Sequence, residues 1–213
     1  MKGRNNEEVS SVSRGGKAFL TSLAALLFSL PLALLGYQDG PPPATTEGFG
    51  EPDCRQCHFD HPLNAPGYSL HLEGLPERYP PGKSYTLTVR LEPAPAAAGF
   101  QLSARFADGA KKGMQAGRLE APGERVEVSE SEKSLQYARH TRQGSQPGAV
   151  EWRVLWTAPE KTEKTDGLVV FHVAANAADG DDSPLGDFIY TLEEVRTSEE
   201  GANSDQSQIG SDG

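Results

Sequence analysis

Cys54-Arg55-Gln56-Cys57-His58 contains both cysteines of the chain, with a histidine directly after the second. Two thiols at this spacing can each add to one vinyl group of a single haem, while the neighbouring imidazole reaches the iron from one side. The pattern is the c-type haem attachment signature. Cys54 and Cys57 are therefore expected to be thioether anchors of one covalent haem c, with His58 as the proximal iron ligand. Covalent attachment lets a short loop keep its cofactor without a deep pocket, and the protein then tunes it by axial ligation, hydrogen bonding and burial. The same residues admit two other readings. The cysteines of an exported chain can close a local disulfide or exchange thiols, although thiol exchange ordinarily operates at a helix start within a βαβ unit, which this sequence lacks. With His61 added the cluster offers zinc ligands, but structural zinc takes four well-placed ligands and usually a second clustered pair.

The opposite side of the iron has five candidates: His61, His71, His140, His172 and Met114. His61 follows His58 too closely to reach the far face easily. His140, at the end of an expected strand, is the first choice, and Met114, in the glycine-rich Gly113–Gly117 segment, the second. A hydrogen-bonded structural histidine, a surface thioether and an open iron position remain as alternatives. Met/His ligation raises a haem potential, whereas an open position admits small ligands. No G-x-S-x-G, H-E-x-x-H or phosphate-loop motif accompanies the cysteines, so an electron carrier or haem-binding module is expected rather than an enzyme. The acidic run Asp179–Asp182 reads as a solvated hairpin turn, with calcium binding as the other option.

Haem attachment of this kind belongs outside the cytoplasm, and the N-terminus supplies the means. Residues 18–35, AFLTSLAALLFSLPLALL, carry no charge and follow Lys2, Arg4, Arg14 and Lys17. Such a run is near the lower length limit for spanning a hydrocarbon core ~30 Å thick, and the basic flank keeps the N-terminus cytoplasmic. Residues 1–36 are expected to be a signal peptide or a retained membrane anchor, leaving the remainder periplasmic or held at the outer face of the cytoplasmic membrane. Residues 37–51 include three consecutive prolines and show no periodicity, which reads as a semi-stiff spacer. The haem-attachment segment is then 52–67.

After it, short runs alternate apolar and polar residues between turn signals, as a sheet with one buried face requires. Expected strands are 68–73, 84–92, 100–107, 125–129, 135–141, 150–157, 168–175 and 188–195. In the second, Tyr85, Leu87, Val89 and Leu91 share one face. Trp152 and Trp156 share another, against which Phe100, Phe171 and Tyr190 are expected to pack. The 23 glycines and 16 prolines suit such a turn-rich globule better than a helical bundle. The fold class is thus all-β, an immunoglobulin-like β-sandwich over 68–195, followed by a disordered acidic tail over 196–213. A net charge of −10 excludes a nucleic-acid footprint. It suits a redox partner protein with a basic face, whose association salt would weaken.

From about Tyr68 to Tyr190 the chain resembles the reeler (reelin-type) domain, in the bacterial exported form that joins it to a haem-binding motif. The resemblance rests on Gly74-Leu75-Pro76, Tyr79-Pro80-Pro81-Gly82, Gly99-Phe100-Gln101-Leu102, His140-Thr141, Trp156-Thr157-Ala158-Pro159, Phe171–Asn176 and Gly186–Tyr190, in that order. It implies the immunoglobulin-like sandwich already expected from the strand pattern. It also implies a structural role around His140-Thr141, where domains lacking a haem motif look similar. The disulfide cysteines of the animal domain are absent. The other function class the resemblance implies is a non-catalytic adhesion or interaction module, with Cys54 and Cys57 forming only a local disulfide.

Overall fold

The computed structural model describes residues 37–148, 150–160 and 167–199. The expected export segment and the tail from residue 200 onward lie outside the described residues. Among the described residues no helix is long and apolar enough to cross a membrane.

Two β-sheets are formed. The strands are β1 (Ser69–Glu73), β2 (Arg78–Tyr79), β3 (Ser84–Glu92), β4 (Ala97–Phe106), β5 (Arg118–Glu120), β6 (Val126–Glu130), β7 (Gln136–His140), β8 (Glu151–Thr157), β9 (Leu168–Ala178) and β10 (Phe188–Ser198). One sheet has the order β1-β3-β8-β5 and the other β2-β10-β9-β4-β7-β6. All pairings are antiparallel except that of β10 with the two-residue β2. Alternation accounts for the faces: Leu87, Val89 and Leu91 of β3 are buried, as are Trp152, Val154 and Trp156 of β8. Across the sandwich, Phe100 stacks on Trp152 with ring centroids 4.8 Å apart, and Phe171 meets Trp156 edge-on at 4.8 Å. Each indole N–H is satisfied, Trp152 by Gly144 O at 2.8 Å and Trp156 by Ala116 O at 3.0 Å. The all-β sandwich and its aromatic core are those the alternation predicts. β10 continues past the expected boundary at 195: Arg196 and Thr197 pair with Val169 and Leu168 of β9, so they belong to the sheet and not to the tail.

The six-stranded sheet is covered on both faces. Its inner face carries Phe100, Leu102, Ala104, Val169, Phe171 and Val173. Gln101, Ser103 and Arg105 of β4 point the other way, yet they too are buried. Residues 37–51, expected to be a spacer, lie along this polar face. Gln101 Oε1 accepts from Thr45 N at 2.8 Å and Gln101 Nε2 donates to Pro42 O at 2.8 Å. Thr46 Oγ1 lies 3.4 Å from Ser103 Oγ, and Glu51 pairs with Arg105 and Tyr137. A proline-rich segment has many free carbonyls and few N–H groups, so it docks well on a face that presents side-chain donors. This strap leads straight into the cysteine turn.

Candidate functional site

Asp53 starts the turn. Its carboxylate accepts from Arg55 N at 2.6 Å and caps a three-residue 3₁₀ turn, Cys54–Gln56. The Cys54 carbonyl then accepts from both Cys57 N (3.2 Å) and His58 N (3.1 Å), so both thiols and the imidazole sit on one tight loop. The chain beyond is pinned to β10 and to the turn just before it. Asp60 Oδ2 accepts from Gly186 N at 3.0 Å, and Asn64 N donates to Ile189 O at 2.9 Å. Tyr190 Oη donates to Ala65 O at 2.7 Å. His61 stacks on Phe188, centroids 3.8 Å apart.

The loop forms one wall of a cavity of about 460 Å³ that contains Cys54, Cys57, His58 and His140. The facing wall is built from the start of β4 and the end of β9, where Ala97, Ala98, Gly99 and Ala178 leave space beside the backbone. His58 enters this space with a fixed orientation. Its Nδ1 lies 2.7 Å from Oδ2 of Asp187, a carboxylate that is only 2 % exposed. The polar contacts of the ring fall on Nδ1, leaving Nε2 without a partner among the described residues. Asn176 Nδ2 donates to the same Asp187 Oδ2 at 2.9 Å, and Asp179 N donates to Oδ1 at 3.3 Å. Sequence reasoning assigns Asp187 and Asn176 no role, because they lie on the β9–β10 hairpin, far along the chain from the cysteines.

The two thiols differ. Cys57 is exposed and Cys54 half-buried. Burial first, and the neighbouring Asp53 carboxylate second, push the Cys54 thiol up to about 12. A thiol so hard to ionise is a poor nucleophile near neutrality, so thiol exchange at this turn would have to begin at the exposed Cys57. Zinc fares no better, since His61 is stacked on Phe188. Among the described residues no three His, Cys, Asp or Glu side chains converge to hold a metal ion. The Asp179–Asp182 run behaves as a turn: Asp179 Oδ1 accepts from Asp181 N at 3.1 Å and Asp181 Oδ1 from Ser183 N at 2.7 Å.

His140 shares the cavity but is committed elsewhere. Phe100 N donates to its Nδ1 at 3.0 Å, which places the ring proton on Nε2, and Nε2 in turn donates to Tyr37 O at 3.1 Å. Burial lowers the basicity of the ring, against the raising effect of the Phe100 and Tyr37 backbone. A histidine with both nitrogens bonded to backbone is a structural one as it stands. Met114 is 56 % exposed and does not line the cavity. His71 is exposed on β1, and His172 Nε2 faces Glu193 at 3.1 Å, beneath Phe49 of the strap.

No family model and no curated protein matches the sequence. Among solved structures, the chain is similar to the reeler domain of human F-spondin, with 23% identity over 62% of this chain and 88% of that one, at a TM-score of 0.44. It is also similar to the Reelin-N domain of F-spondin, with 20% identity over 68% of this chain and 96% of that one, at a TM-score of 0.47. A cohesin module from a family 33 glycoside hydrolase of Clostridium perfringens shares 9% identity over 62% of this chain and 94% of that one, at a TM-score of 0.37. With TM-scores below 0.5 and identities of 23% and lower, these likenesses carry no residue's role across.

Proposed function

We propose that the chain is an exported haem-binding module of the c type, with one haem attached through Cys54 and Cys57 and ligated by His58. The observation that carries this reading is the orientation of His58: in a cavity that both cysteines also line, a buried carboxylate holds its Nδ1 and leaves Nε2 free to bind a metal. That is the usual outer-shell arrangement of a ligating histidine. A cavity of about 460 Å³ falls in the size range of cofactor sites, and its small-residue wall suits a flat macrocycle. A porphyrin brings four nitrogens of its own, so one or two protein ligands suffice where a bare ion would need more.

When bound, haem supplies a one-electron ferric/ferrous couple, and the function we propose is single-electron exchange with a redox partner protein. The net charge of −10 supports a partner with a basic face. The uncharged run at 18–35 supports a periplasmic location or anchoring at the outer face of the cytoplasmic membrane. The sixth iron position goes to His140 only if it gives up Tyr37 O, and to Met114 only if its loop moves.

A second reading is favoured by the sandwich itself, whose aromatic core is complete without a prosthetic group. In that reading the domain is a non-catalytic extracytoplasmic interaction module, and Cys54 and Cys57 close a local disulfide. One experiment separates the two: a pyridine haemochrome spectrum of protein made with a periplasmic cytochrome maturation system, after denaturation and acid-acetone extraction. A haem band that survives extraction, and is lost in Cys54→Ser/Cys57→Ser, supports the cytochrome reading. Colourless protein with a mass two hydrogens below that of the dithiol supports the interaction module; colourless protein in either thiol state ends the haem proposal.

A further inference from the structure

Asp187 sits one residue before β10, enclosed by the sheet and the cysteine loop. Burying a carboxylate is costly unless it is fully hydrogen-bonded or paired, and every bond it makes serves one end. Asn176 and Asp179 N hold it in place, and the remaining short bond, 2.7 Å, goes to His58 Nδ1. Within the hairpin, Asp179, Asp181 and Ser183 bond the backbone N–H groups of residues 181, 183 and 185 themselves, so among the described residues His58 is the one partner of Asp187 that lies outside the hairpin.

We infer that Asp187 is the positioning residue of the His58 ligand and sets the redox poise of the site. This rests on the haem reading above. By accepting the proton on Nδ1, Asp187 fixes the tautomer in which Nε2 carries the lone pair, and it orients that nitrogen into the cavity. By drawing the Nδ1 proton towards a buried anion, it makes the imidazole a stronger donor and adds negative charge near the metal. Both effects favour ferric over ferrous iron, so the site works at a lower potential than a histidine bonded to a neutral carbonyl would give. Asn176 acts one step further out, by holding Asp187 itself.

The test compares wild type with Asp187→Asn, which removes the charge and keeps one acceptor oxygen for His58 Nδ1 while giving up the acceptor for Asp179 N. Asp182→Asn serves as the control: that carboxylate also borders the cavity but bonds Gln38 and not His58. In the full chain matured with haem, Asp187→Asn should retain covalent haem and shift the ferrous-to-ferric preference roughly tenfold, ~59 mV upward for one electron. Asp182→Asn should move it much less. Equal shifts for the two variants, or no shift for Asp187→Asn, overturn the inference while leaving haem attachment standing. If Asp187→Asn does not fold, nitrogen NMR of His58 in the unloaded wild-type protein decides: an Nδ1–H tautomer is expected, and Nε2–H overturns the assignment. Wild type without covalent haem overturns the parent reading, and this one with it.

Discussion

A methyl group on Gly99 would lie 2.4 Å from Cε1 of His140. The glycine is there because the imidazole needs its space: His140 lies across the start of β4 and takes the Phe100 N–H, a donor at the cavity's inner wall. Gly99→Ala is therefore expected to displace the ring and break its bonds to Phe100 N and Tyr37 O. The cost should be ~1–3 kcal/mol, from overpacking and an unsatisfied buried N–H. Urea unfolding of the two proteins measures it, and equal midpoints would contradict the described packing.

The same ring sets a pH dependence. Burial lowers the pKa of His140 in the folded protein from its ordinary 6.5, and does the same at His172 against the opposing effect of Glu193. Below about 6.5 the unfolded chain takes up protons that the folded one refuses. Stability from these residues is then fully present above that pH and is lost as pH falls through the folded values. The unfolding free energy from urea titration should drop between pH 7.5 and 5, by at most ~1.4 kcal/mol per pH unit per histidine. His140→Asn, which keeps an acceptor for Phe100 N, should flatten the slope. A variant as steep as wild type would show that the ring titrates normally in the fold.

The strands were legible because their periodicity is a direct image of burial. The alternation of Tyr85, Leu87, Val89 and Leu91 predicts a strand over 84–92, and β3 spans Ser84–Glu92. β2 and β5 are too short, at two and three residues, for any period to show. The strap was missed for a different reason. Alternation along β4 separates apolar Phe100, Leu102 and Ala104 from polar Gln101, Ser103 and Arg105, and a polar face reads as a wet one. Here that face is dry and its groups are bonded to the segment that precedes the cysteines. At the site, Cys54, Cys57 and His58 announce themselves by spacing, whereas Asp187 and Asn176 lie in a Gly- and Asp-rich hairpin where a turn explains every residue. Only folding reveals that one of those carboxylates is buried against the histidine.

The strap's hold depends on Glu51. Its carboxylate is paired with Arg105, which is 3 % exposed, and accepts from Tyr137 Oη at 2.5 Å. Glu51→Ala would leave a buried guanidinium without its partner, a change that typically costs ~3–5 kcal/mol. Releasing the strap lets water reach Arg105 at lower cost, so the loss should appear locally first. Hydrogen exchange across residues 37–51 should accelerate more than in β3 or β8. Uniform acceleration, or none, would mean that the strap is not held through this pair.

The thiols offer a test of the turn in the protein before any haem is added. Reaction with iodoacetamide needs the thiolate, and a thiol at about 12 is ionised at pH 8 in roughly one molecule in ten thousand. Cys57 is exposed on the same turn, so access does not limit it. In reduced protein, mass spectrometry should find the label on Cys57 well before Cys54, while in urea the two should react alike. The Cys54 pKa is raised first by burial and second by Asp53, so Asp53→Asn, which removes the nearby charge and keeps an acceptor to cap Arg55 N, should quicken Cys54 labelling. Equal labelling in the folded protein would mean that Cys54 is not enclosed, and that the turn opens before its cysteines react.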